Sequence, residues 1–199
     1  ASGDVLQAFY NPDPDEFDLF GVSVAFDDDH VLIGAVFDDT VAEDAGAAYL
    51  FDRASGALLH TFASSSADSE ELFGFSVALI DGVAAVGAPR YFVVSQPKFS
   101  KVYLFSATAG SLLYVVNDPT GQLQTNLGYS LATSGSELVI GGPFSGAGVI
   151  FVDAALASPT FGAVLRSIPP PTAGPGSVVG GVSGFGWAGA GRGHRVLVG

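Results

Sequence analysis

Short apolar runs rich in Val, Ile, Leu, Phe and Tyr alternate along the chain with clusters of Gly, Asp, Asn, Ser and Pro. Runs of that kind, bounded by turn formers, predict β-strands. No stretch keeps the 3.6-residue apolar period that a substantial helix requires. Asp27-Asp28-Asp29-His30, Asp81-Gly82 and Ser134-Gly135-Ser136 separate paired runs, so they are expected to be hairpin turns.

The runs repeat in a fixed order. Phe20-Gly21-Val22-Ser23-Val24-Ala25 returns as Phe73-Gly74-Phe75-Ser76-Val77-Ala78, Leu127-Gly128-Tyr129-Ser130-Leu131-Ala132 and Phe185-Gly186-Trp187-Ala188-Gly189-Ala190. These begin at 20, 73, 127 and 185, so they lie 53, 54 and 58 residues apart. A second landmark follows each: Val31 to Ala35, Ala84 to Pro89, Leu138 to Pro143 and Val196 to Gly199. A third comprises Ala47 to Asp52, Lys101 to Ser106 and Gly148 to Asp153. A fourth, Ser55-Gly56-Ala57-Leu58-Leu59-His60-Thr61-Phe62, is echoed at Ala109 to Val116 and at Ser2 to Phe9. Self-similar units of four short strands match the blades of a propeller.

In this ordered set of motifs the chain resembles the FG-GAP repeat family, known from integrin α-subunit propellers. The resemblance implies an all-β fold, a β-propeller of four-stranded antiparallel blades, with about three and a half blades present. The expected parts are an outer strand at 4–9, blades at 20–62, 73–116 and 127–168, and a partial blade at 185–199. It further implies that the glycine after each aromatic allows close backbone approach, and that the aromatic fills the space between blades. Because the last repeat stops at Val198-Gly199, further sequence or a covering partner is expected there, with the N-terminal strand as the outermost strand of a last blade. Pro169 to Gly176 is read as an extended connection between blades.

Composition narrows the function. With 48% hydrophobic and 14% charged residues the chain can form a packed core. A net charge of −13 disfavours nucleic acid and anionic membrane as partners. The absence of cysteine rules out disulfides and thiolate chemistry. No apolar stretch is long enough for a membrane-spanning helix, so no direct membrane insertion is expected.

Among candidate sites the sharpest is a calcium loop at Asp38, Asp39, Glu43 and Asp44, since hard cations want six to eight oxygens and closely spaced carboxylates supply them. The Asp-x-Asp-x-Asp-Gly pattern of integrin calcium loops is absent, and the matching loops, Arg90 to Ser100 and Phe144 to Ala147, hold no acid. The acids at Asp13 to Asp18 and Asp68 to Glu71 are read as solvated connections. Gly-x-Ser-x-Ala recurs at Ser23, Ser76 and Ser130, whereas a hydrolase needs one nucleophile in a strand-to-helix turn. His30, His60 and His194 occupy different points of the repeat and predict no shared site. Calcium is thus the sole cofactor considered, and no catalytic residue is expected.

Together these features suggest a non-catalytic recognition, adhesion or scaffolding module, extracellular, secreted or at the cell surface, with protein or glycan partners at its propeller faces. Two alternatives remain: a propeller attached to a secreted hydrolase domain outside this chain, or a structural subunit of an extracellular filament or surface layer.

Overall fold

The computed structural model describes residues 4–64, 71–90, 99–123, 125–143, 145, 147–169, 189–192 and 195–198. His194, the Asp68 to Glu70 acids, most of the Pro169 to Gly176 connection and the Phe185 to Ala188 part of the last repeat lie outside them.

The described residues form three four-stranded antiparallel sheets and one hairpin. Blade 1 comprises β1 (Phe20–Phe26), β2 (His30–Ala35), β3 (Ala47–Asp52) and β4 (Leu58–Ala63), hydrogen-bonded in that order. Blade 2 comprises β5 (Ser76–Ile80), β6 (Val83–Ala88), β7 (Lys101–Ser106) and β8 (Leu112–Asn117). Blade 3 comprises β9 (Ser130–Ser134), β10 (Glu137–Gly141), β11 (Val149–Asp153) and β12 (Val164–Ile168). A hairpin follows, β13 (Gly189–Arg192) and β14 (Arg195–Val198). The inner strands β1, β5, β9 and β13 lie side by side in sequence order, which is the arrangement of propeller blades around an axis.

Inner strands β1, β5 and β9 are led by the same tight turn. Val22 N–H donates to Leu19 O at 3.0 Å, Phe75 N–H to Leu72 O at 3.2 Å and Tyr129 N–H to Asn126 O at 3.0 Å. The third residue of these turns has φ of +91° at Gly21 and +86° at both Gly74 and Gly128, which makes glycine the residue of choice there. Leu19, Leu72 and Asn126, one residue before each motif, also take positive φ, a sharp bend repeated in all three blades.

The middle strands are buried on both faces, and the two-residue side-chain period divides them between neighbouring seams. In β2 and β3, Leu32, Ala48 and Leu50 pack with Phe62 and with Phe73, Val86, Tyr103 and Phe105 of blade 2. Val31, Ile33, Tyr49 and Phe51 form a separate cluster on the other face, with Phe9 and Phe20 packed against it. The opposite face of blade 2, including Val83, Ala85, Val102 and Leu104, packs with Leu138, Ile140 and Ile150 of blade 3.

Residues 4–9, expected as an outer strand, pair with no strand among the described residues. Their side chains nonetheless sit where an outer strand belongs. Phe9 meets Phe51 at 5.4 Å between ring centroids, as Phe62 meets its equivalent Phe105 at 4.6 Å. A Cβ on turn residue Gly56 would meet Gln7, one on Gly110 would meet His60, and one on Gly162 would meet Tyr114. Gln7, His60 and Tyr114 are the same position of the repeat.

Candidate functional site

The recurring serine is a seam fastener. Ser23 Oγ donates to the carbonyl of Gly74 at 2.8 Å, and Ser76 Oγ to the carbonyl of Gly128 at 2.6 Å. In both cases the hydroxyl of one blade holds the Phe-Gly or Leu-Gly turn of the next. Glycine on the second strand makes room for this contact: a Cβ on Gly34 would lie 1.9 Å from Gly74 O, and one on Gly87 2.2 Å from Gly128 O. A hydroxyl bonded to a backbone carbonyl, with no base beside it, has no route to nucleophilic activation.

Of the calcium candidates, Asp38 and Asp39 take different hydrogen-bond partners. Asp38 is buried, 1% exposed. One of its carboxylate oxygens accepts from Tyr49 Oη at 2.6 Å and the other from the backbone N–H of Thr40 at 2.9 Å and from the Thr40 hydroxyl. Burial, then the hydrogen bond to Asp38, raises the pKa of Tyr49 above its usual value. Asp39 accepts from the backbone N–H of Asp44 at 2.6 Å. Asp44 itself has φ of +52°. Among the described residues no three His, Asp or Glu side chains converge in a metal-binding arrangement. Asp38 faces inward to a tyrosine and Asp39 closes its own loop.

Two acids read as solvated are in fact interior. Asp18 is 4% and Glu71 1% exposed. Both stand two residues before their Phe-Gly motif, where the bend turns the side chain inward; Thr125 holds the same place in blade 3 and is also buried. Asp18 accepts from Asn11 Nδ2 at 2.6 Å and from the N–H of Asp15 at 2.7 Å. Glu71 accepts from Tyr103 Oη, with Lys101 Nζ at 3.9 Å and Ser64 Oγ 3.1 Å from the same phenol. Blade 3 has a comparable node, in which Asp118 accepts from Ser145 Oγ at 2.5 Å and from the N–H of Thr120 at 2.8 Å. A buried carboxylate needs such partners, and each node supplies them from neighbouring strands and loops.

His30 lies 3.2 Å from Asp27, and His60 Nε2 is 3.2 Å from the carbonyl of Thr108. They belong to a hairpin end and an outer strand respectively, and no catalytic pair forms between them. Concave surfaces lie elsewhere among the described residues. One, about 270 Å³, is lined by equivalent positions of the inner strands: Val24 and Phe26, Val77 and Leu79, Leu131 and Thr133. Another, about 340 Å³, lies at Ser134 to Glu137 and Arg166. There the Arg166 guanidinium lies over the Phe151 ring at 3.8 Å and pairs with both Glu137 oxygens at 2.5 and 2.6 Å.

A family comparison agrees with the repeat in its first unit. Residues 7–51 match the family model described as FG-GAP repeat, which covers the N-terminal segment and most of the first three strands of blade 1. No curated protein sequence matches the chain significantly. Among solved structures, BamB from Moraxella catarrhalis is similar at 13% identity and a TM-score of 0.47, over 86% of this chain and 42% of that one. The chain therefore spans less than half the length of that structure.

Proposed function

We propose that this chain, a β-propeller module with an FG-GAP repeat in its first blade, is a non-catalytic recognition and scaffolding module that works outside the cell or at its surface. Its partners are proteins or glycans, bound through the loop-bearing faces of the blades. The observation that supports this reading is how the reactive side chains are used. The repeated serines fasten seams, and the buried acids hold tyrosines and loop backbones. What remains for function is a frame of repeated blades whose connecting loops differ from blade to blade, an arrangement suited to binding.

The test is direct binding of the purified chain to arrays of glycans and of extracellular proteins, with a general esterase, phosphatase and phosphodiesterase panel run alongside. Saturable binding that is weakened by substitutions in the exposed loops supports the reading. Turnover that purifies with the chain and is lost on substituting one of its side chains would overturn it.

A further inference from the structure

The outer strand of each blade is an open edge. β4, β8 and β12 each end the order of their sheet, so among the described residues they have a strand on one side only. Blade 2 packs against both blade 1 and blade 3, so β8 has a neighbouring blade on each flank. Even so, Leu112 is 48% and Leu113 38% exposed, and Leu58 and Leu59, at the same positions of β4, are 44% and 41% exposed. The exposure therefore belongs to the outer rim and not to an uncovered flank. Natural edges are ordinarily guarded by charged residues, above all Lys, or by Pro. β8 reads Leu-Leu-Tyr-Val-Val-Asn and β4 Leu-Leu-His-Thr-Phe-Ala, without Lys, Arg, Asp, Glu or Pro. β12 differs, because its Arg166 lies over Phe151 and pairs with Glu137. One guard is shared by all three, a bulge in which Leu59, Leu113 and Leu165 are the extra residues. It falls directly after the first paired residue of the strand. Beyond it, Tyr114 to Asn117 pair with Leu104 to Lys101 without interruption, so that length of edge stays regular.

We propose that the β8 edge, and the equivalent β4 edge, take up an extended segment of a protein partner as an added strand. The segment carries aliphatic side chains at alternate positions, with neutral or basic residues between them. Three observations point to this occupant. First, an edge strand presents unpaired N–H and C=O groups, which another extended backbone matches in spacing. Second, side chains of an added strand alternate between the two sides of the blade. On one side stand Leu112 and its register partner Phe105, which belongs to the core shared with blade 1, so aliphatic residues meet apolar surface there. On the other side Tyr114 is already engaged with Phe161 of blade 3, and polar residues suffice. Third, the chain carries a net charge of −13. An acidic segment, or the same edge of a second copy of this chain, approaches against like charge, whereas a neutral or basic segment does not. The rim is a different surface from the loop-bearing faces, so the two readings fail separately: a chain whose edges accept no strand can still bind its array partner through the loops.

The experiment is residue-resolved amide exchange of the full chain, with and without the peptide acetyl-Lys-Val-Thr-Val-Lys-Val-Thr-amide at millimolar concentration. Exchange within 112–117 and 58–63 is expected to slow by about tenfold or more. The same peptide N-methylated at its valines keeps its side chains but loses backbone donors, and is expected to protect neither strand. Replacing its lysines by glutamates is expected to weaken binding by about tenfold at low salt, and by less as salt is added. Leu112→Lys with Leu113→Lys places a guard on one edge only. That variant is expected to lose the effect at 112–117 and keep it at 58–63, with an unchanged far-ultraviolet spectrum. Absence of slowing at both edges overturns the proposal. So does an N-methylated peptide that protects equally well, a glutamate peptide that binds as tightly, or a double variant that still responds at 112–117. Protection of these residues that grows with chain concentration in the absence of peptide would make a second copy the occupant, which also overturns it.

Discussion

The single atoms that close the seams make the sharpest predictions. Gly34 has an ordinary backbone conformation, yet its Cβ would fall 1.9 Å from the Gly74 carbonyl. Gly21 has φ of +91° with open space around it. Gly34→Ala is therefore expected to cost on the order of 3–5 kcal/mol by forcing two blades apart. Gly21→Ala should cost about 1–2 kcal/mol, from backbone strain alone. Urea midpoints at constant slope measure the difference. Ser76→Ala leaves the buried Gly128 carbonyl without its hydroxyl, a loss of about 1–3 kcal/mol, and the half-exposed Ser23 should lose less. Asp153 contributes to the acid response, because its pKa is held below 3.8 by the Ser158 and Thr160 hydroxyls and the Ala155 N–H. A lowered folded pKa means that its contribution is complete above the ordinary value and is lost as pH falls through the folded one. Asp153→Asn should flatten the acid side of the stability profile below about pH 4. Tyr49 has the opposite sign: its raised pKa protects stability up to the ordinary value of 10.0 and lets it decline above. Tyr49→Phe should remove that alkaline slope in thermal melts. The motif glycines and serines were legible in the sequence because they recur at fixed offsets. The inward turn of Asp18, Asp38 and Glu71 was not, because Asp38 and Glu71 reach the equivalent tyrosines Tyr49 and Tyr103 from different points of the repeat, so no spacing marks the pairing.

Strands and their outer edges show what one repeat does for the next. Phe62 is 1% exposed, stacked on Phe105 at 4.6 Å, and completes the core between blades 1 and 2. Phe62→Ala should cost about 3–5 kcal/mol. Phe9 makes the same contact with Phe51 but carries no strand pairing behind it. Phe9→Ala should mainly release residues 4–9, read as faster amide exchange there with a smaller change in global stability. The hairpin turns of all three blades could be read directly from Asp, Gly and Ser clusters. The N-terminal echo identified the position of 4–9, and the structure seats Gln7 and Phe9 accordingly, but its ladder was beyond sequence pattern: a strand exists only beside another strand, and periodicity describes one segment at a time.

Blades 1, 2 and 3 follow one another around the axis, and the two seams between them are fastened alike. Stability in such a series is close to a sum of blade and seam terms. A net charge of −13 opposes compactness throughout, so added salt should raise Tm by screening, and should do so more at low ionic strength than at high. The repeating seam also bears on descent. The hydroxyl of Ser23 reaches Gly74 and that of Ser76 reaches Gly128 by steps of 51 and 52 residues, between the same positions of the repeat, so duplicating a whole unit would create a new junction of the same kind as the old ones. A lineage built this way can lengthen or shorten by an entire blade in one genetic event, while a single inserted residue inside β1 or β5 would turn Ser23 or Ser76 to the wrong face and open the joint it fastens.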